Sequence, residues 1–184
     1  MDNSFADKLE FSLGARENFD MRLLTGAINK CVGIIKTDVD TDKNGGYDYD
    51  ATLQDGAHVY IDAKAREKGA SRYWKNGEPE LALELWSVVP ENGRPGKIGW
   101  TLSTKSDVDL ILYTFDKADS DMYYLLPFQP LRMAFQKNGP EWVKAYGRKK
   151  QTSNGGQWKS SACFVPASVV LNAVMEQMSG IATA

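Results

Sequence analysis

The chain is poor in the residues that build most compact reactive centres. Among its 184 residues there is one histidine, His58, and there are two cysteines, Cys31 and Cys163. A zinc finger, an H-E-x-x-H protease centre, a multi-histidine metal site and an HNH-type nuclease all need more histidine than this. A Ser-His-Asp hydrolase would have to use His58, and Ser87, Ser103 and Ser106 lack G-x-S-x-G surroundings. Two distant cysteines with no C-x-x-C exclude a disulfide scaffold and fit a reducing compartment. No apolar run approaches the ~20 residues of a membrane span. The polar start Met1-Asp2-Asn3-Ser4 has no signal-peptide character, and no Asn-x-Ser/Thr sequon occurs. These absences predict a soluble, cytoplasmic protein. Charge of one sign is missing too: 22 Lys+Arg against 24 Asp+Glu leave a net −2, so partner chemistry must be read from local clusters. With histidine scarce, a metal would be held by oxygen, which selects Mg²⁺, Mn²⁺ or Ca²⁺.

What is present is an ordinary globular composition, 42% hydrophobic and 25% charged. It suits one domain over residues 1–184 with a core of its own. Phe19, Leu23, Ala27, Cys31 and Ile35 recur at i, i+4 and predict an N-terminal helix over 17–35. From Tyr47 the period changes to two. Tyr47–Leu53 and Val59–Lys64 read as strands joined by Gln54-Asp55-Gly56-Ala57, an Asp-Gly hairpin signal. Further strands are expected at Leu81–Val88, Asp109–Phe115 and Met122–Leu126, giving a sheet over 47–127. Helices are expected over 130–180: one opened by Pro130 and stopped by Gly139, a short one from Pro140 to Tyr146, and a last one after Pro166. The polar, basic stretch Gly147–Ser161 reads as a loop. This order indicates an α/β fold with a mixed central β-sheet flanked by helices.

Alternate residues of a strand share a face. Asp62 and Lys64 therefore stand side by side while Ile61 and Ala63 turn inward. Asp48 and Asp50 share a face in the same way, and the turn folds one or other of them beside Asp62. Glu84 lies with Ala82 and Trp86, opposite Leu81, Leu83 and Leu85. Carboxylates on neighbouring strands repel unless a cation lies between them, and carboxylates with water are the ligands Mg²⁺ prefers. A lysine beside them can orient an attacking water or stabilise a crowded phosphate.

An Asp followed about a dozen residues later by (Asp/Glu)-x-Lys on a hairpin is the pattern of the PD-(D/E)xK nuclease superfamily. Asp50 and Asp62-Ala63-Lys64 match it, Asp62 following Asp50 by twelve positions. The stretch Tyr47–Trp100 resembles phage-type, Holliday-junction-resolvase-like members, and the likeness extends to Phe115. Tyr49 stands where the motif has proline, and Asp62 is the less usual choice of middle acid. The resemblance implies a restriction-endonuclease-like core and a metal-dependent DNA endonuclease. It implies Mg²⁺ or Mn²⁺ on Asp50, Asp62 and Glu84, a catalytic role for Lys64, DNA as partner and a homodimer. Asp48 is an alternative first ligand, and Glu17 matches a helical glutamate of resolvase-like members.

Basic residues follow the motif at once: Lys64, Arg66, Lys68, Arg72 and Lys75, with Tyr73 and Trp74 among them. Arg66, Lys68, Arg72 and Lys75 are the expected nucleic-acid contacts, since Lys and Arg on phosphates supply most non-specific DNA affinity. Arg148, Lys149, Lys150 and Lys159 form a second group. Two other readings stand beside catalysis. One is a nuclease-like module that binds nucleic acid without cutting. The other is a calcium-binding structural protein using Asp40, Asp42 and Asn44, since 40–48 fits the first nine places of an EF-hand loop. The twelfth place holds Ala51 instead of the bidentate glutamate.

Overall fold

The structure is a computed structural model that describes residues 15–38, 46–66, 74, 77–91, 93–104, 107–115, 122–152 and 159–182, without the side chains of 15–19 and 181–182. Helices and strands mix along the chain, as an α/β class requires. They run α1 (Ala15–Ala27), β1 (Cys31–Lys36), β2 (Tyr49–Leu53), β3 (His58–Arg66), β4 (Glu80–Val88), β5 (Lys97–Ile98), a 3-10 turn (Trp100–Leu102), β6 (Leu110–Phe115), β7 (Tyr123–Pro127), α2 (Phe128–Tyr146), β8 (Arg148–Thr152), β9 (Lys159–Pro166) and α3 (Ala167–Ala182). The strands order as β1-β2-β3-β6-β7 and β5-β4-β9-β8. The chain divides into two compact units, Met1–Ala63 with Ser106–Leu112, and Lys64–Lys105 with Tyr113–Ala184.

In the first unit the helix expected over 17–35 is shorter. It ends at Ala27, and Cys31–Lys36 is a strand. Lys30 takes φ 60, a left-handed turn that no helix continues through. Val32, Ile34 and Ile35 are β-branched and favour the extended chain beyond it. Helical spacing had placed Ile35 on a core face, yet Val32 is 62% and Ile35 64% exposed. β1 pairs antiparallel with β2, with a register irregularity between Cys31 and Gly33.

The β2–β3 hairpin forms where the Asp-Gly signal placed it. Gly56 adopts φ 82, which a Cβ would strain. The Asp55 carboxylate accepts the Ala57 N–H at 3.0 Å, and the Leu53 N–H closes the turn on the Ala57 carbonyl at 2.8 Å. Tyr49 opposes Ile61 and Ala51 opposes Val59. Tyr49, Ala51 and Ile61 are buried, with Leu24 of α1 and Ile111 and Leu112 of β6.

In the second unit β4 and β9 pair antiparallel, with Leu81 opposite Val165 and Leu83 opposite Cys163. These four are fully buried. Helices α2 and α3 pack on β9 and supply Leu131, Phe135, Trp142, Val170 and Val174 to the core. The opposite face of this sheet carries Ala82, Glu84, Ala162 and Phe164. α3 begins directly after Pro166, its Ser168 N–H capped by the Glu78 carboxylate at 2.7 Å.

Two expectations fail in this unit. Gly139 does not stop a helix, because α2 runs unbroken through Pro140 to Tyr146. The apolar stripe continues past the proline to buried Trp142, and Gly139 has no Cβ to clash with the proline ring. The basic stretch 147–161 is not all loop either. It contains β8 and the start of β9, which lie within the span read as helices over 130–180.

Candidate functional site

The β2–β3 hairpin sorts its side chains by alternation. Asp50 opposes Tyr60 and Thr52 opposes His58. These four share the face opposite to buried Tyr49, Ala51 and Ile61. Asp50 Oδ1 lies 2.7 Å from His58 Nδ1. A proton on Nδ1 makes this a charge-assisted hydrogen bond and leaves Nε2 as the ring's acceptor. Tyr47 stacks on Tyr60 with centroids 4.4 Å apart, and the His58 ring follows at 6.3 Å from Tyr60. Burial, then Tyr60 and the carboxylates Asp50, Asp107 and Asp38, raise the Tyr47 hydroxyl above its ordinary value.

Asp48 is used differently. Its Oδ2 accepts the N–H of Ala63 at 2.7 Å, so this carboxylate is fixed to the middle residue of Asp62-Ala63-Lys64. Asp62 is only 7% exposed. An ionised carboxylate at that depth requires compensation by donors or cations. Tyr60 is clamped from the other edge, its N–H on the Asp109 carboxylate and its carbonyl on the Asp109 N–H, each at 2.9 Å. Asp20, buried on α1, accepts the Tyr49 hydroxyl at 3.1 Å and ties that helix to β2.

In the second unit, Lys64 Nζ stands 5.7 Å from the centre of the Trp100 ring, and the Arg66 guanidinium stands 4.6 Å from that of Phe164. Glu84 Oε2 accepts the Ser87 hydroxyl at 2.7 Å and the Trp100 N–H at 3.2 Å. Its carboxylate is therefore tied to the first residue of the 3-10 turn, whose Trp100 ring lies by Lys64. Gly99 makes this closeness possible, since a Cβ there would lie 2.3 Å from the Glu84 carbonyl oxygen.

Hard oxygen donors for a divalent cation are thus Asp48, Asp50 and Asp62 in one unit and Glu84 in the other. Among the described residues, no group of three or more His, Cys, Asp or Glu side chains is gathered as metal ligands would be. Asp50 meets His58, Asp48 meets the Ala63 N–H, and Glu84 meets Ser87 and the Trp100 N–H. Lys68, Arg72, Lys75 and most of the 40–48 loop lie outside the described residues, as does the Glu17 side chain. The signal for the His58–Asp50 pair is their closeness across a short turn. Asp20 carries no such signal, because a buried acid on an otherwise apolar helix face shows no pattern until its tyrosine partner is placed. No described helix is long and apolar enough to cross a membrane. In comparison with protein-family models, with curated proteins and with solved structures, no family model, no curated protein and no solved structure matches this chain.

Proposed function

We propose that the chain is a metal-dependent phosphodiesterase acting on DNA, built on the Asp62-Ala63-Lys64 strand of a restriction-endonuclease-like core. The observation that carries this reading is the bond from the Ala63 N–H to Asp48 Oδ2 at 2.7 Å. It seats a second carboxylate directly against the acid-x-lysine segment. Asp62 and Asp48, with Asp50 when it is released from His58, would hold Mg²⁺ or Mn²⁺. A cation bound there would supply Lewis-acid polarisation of the phosphate and a more acidic water. Lys64 would orient an attacking water and offset the charge that develops on the phosphate. Glu84 acts as a positioning residue through Trp100 in this reading.

The test is cleavage of plasmid and branched DNA in Mg²⁺ and in Mn²⁺. Asp62→Asn and Lys64→Ala are each expected to lose at least a hundredfold in rate with unchanged circular dichroism. Full activity in either variant overturns the assignment. A second reading, a module that binds nucleic acid without cutting, is favoured by the engagement of Asp50 with His58 and of Glu84 with Ser87 and Trp100. DNA binding with no cleavage in Mn²⁺ selects it.

A further inference from the structure

Two basic segments far apart in the sequence meet at one aromatic ring. Arg66 lies at the end of β3, and Lys149 lies on β8. The Arg66 guanidinium stands 4.6 Å and the Lys149 ammonium 4.7 Å from the centre of the Phe164 ring. The register explains the approach. Lys149 opposes Ala162 on β9, and Ala162 in turn opposes Glu84 on β4. Ala162 and Phe164 are two residues apart, so Lys149 reaches the ring diagonally on the sheet face that also carries Glu84.

A cation is attracted to a ring face, but two cations at one ring are within roughly a Debye length (~10 Å) and repel. Among the described residues no carboxylate is paired with either of them. Glu91, after β4, binds Lys159 at 2.9 Å and Lys150 at 3.9 Å, and Glu84, on the same sheet face, accepts from Ser87 and the Trp100 N–H. Arg148 donates to the Ser161 hydroxyl at 3.2 Å, not to an acid. All five side chains of β8 are exposed, and β8 is the outer strand of its sheet. Like charges held together by an aromatic floor, neither of them paired with a carboxylate, suit a polyanion.

We propose that Arg66 and Lys149, seated on Phe164, form a phosphate clamp for a nucleic-acid strand. The repeated phosphates of such a strand neutralise cations set along an edge, which a lone anion does not. The proposal deepens the DNA reading given above but does not depend on cleavage.

Binding is measured by fluorescence anisotropy with a short fluorescein-labelled DNA strand in EDTA, over a series of salt concentrations. Lys149→Glu is expected to weaken binding tenfold or more, and Lys149→Ala to flatten the log K against log salt slope by about 1. Lys149→Arg should restore affinity. Lys137→Glu, an equal charge change on α2, should stay within twofold of the parent chain. Equal losses in Lys149→Glu and Lys137→Glu overturn the clamp, as does no loss in either. Lys149-dependent binding to phosphatidylserine vesicles without binding to DNA also overturns it, in favour of a membrane surface. DNA held through Lys149 but left uncut in Mg²⁺ upholds the clamp and removes the hydrolase. DNA that is cut while Lys149→Glu binds normally does the reverse.

Discussion

Cys31 and Cys163 have the same chemistry and different surroundings. Cys163 is fully buried between β4 and β8, and burial, aided by the nearby Glu80 carboxylate, pushes its thiol up to about 11. Cys31 is partly exposed at the start of β1, its thiol directed to the Gly33 carbonyl at 3.4 Å. The thiolate is the reactive form, and access limits it further. Iodoacetamide at pH 8 is therefore expected to label one thiol per native chain, at Cys31, and a second only in denaturant. Peptide mapping reads this, and native labelling of Cys163 contradicts it. Residue-scale features were legible where alternation governs them. The inward turn of Ile61 and the glycine of the hairpin turn follow from two-residue periodicity and φ. The choice between Asp48 and Asp50 was not legible. It depends on which carboxylate meets the Ala63 N–H and which meets His58, and only the register and the geometry at the strand end decide that.

Elements tell the same story at longer range. The hairpin was readable because its signals are local. The long α2 was not, since Gly139-Pro140 reads as a breaker and the packing of Trp142 overrides it. β8 and β9 were hidden because Arg148-Lys149-Lys150 has no apolar alternation. An outer strand with every side chain exposed needs none. Pro140 gives α2 a testable weakness. It lacks the N–H that would meet the Gln136 carbonyl, at a cost of about 3 kcal/mol in an ordinary helix interior. Fixing the unfolded chain returns about 1 kcal/mol of that. Pro140→Ala, at an exposed position, is expected to raise stability by roughly 1–2 kcal/mol in urea denaturation. A variant less stable than the parent chain would show that the ring itself is a favourable contact.

For the whole molecule, the second unit carries an alkaline liability. Tyr113 is buried, its hydroxyl oxygen accepting the Ala82 N–H at 2.8 Å, and burial pushes its ionisation up to about 12. A raised value in the folded state means that the unfolded chain loses its proton first. Stability is complete below the unfolded value near 10 and declines as pH rises toward 12; for Cys163 the decline runs from near 9 toward 11. Each group accounts for roughly 2–3 kcal/mol at the end of its window. Melting temperature is expected to fall steadily from pH 9 to 11, and a flat series contradicts the assignment. What the sequence withheld at this scale is the meeting of Arg66 and Lys149, which no window along the chain could join. A last consequence belongs to β1. Val32 and Ile35 make an apolar outer edge that invites strand-by-strand stacking between copies. The register irregularity between Cys31 and Gly33 interrupts the row of backbone donors and acceptors that such stacking would copy. In concentrated solution that one skipped rung is a guard against fibre growth, and a deletion restoring an even ladder would remove it.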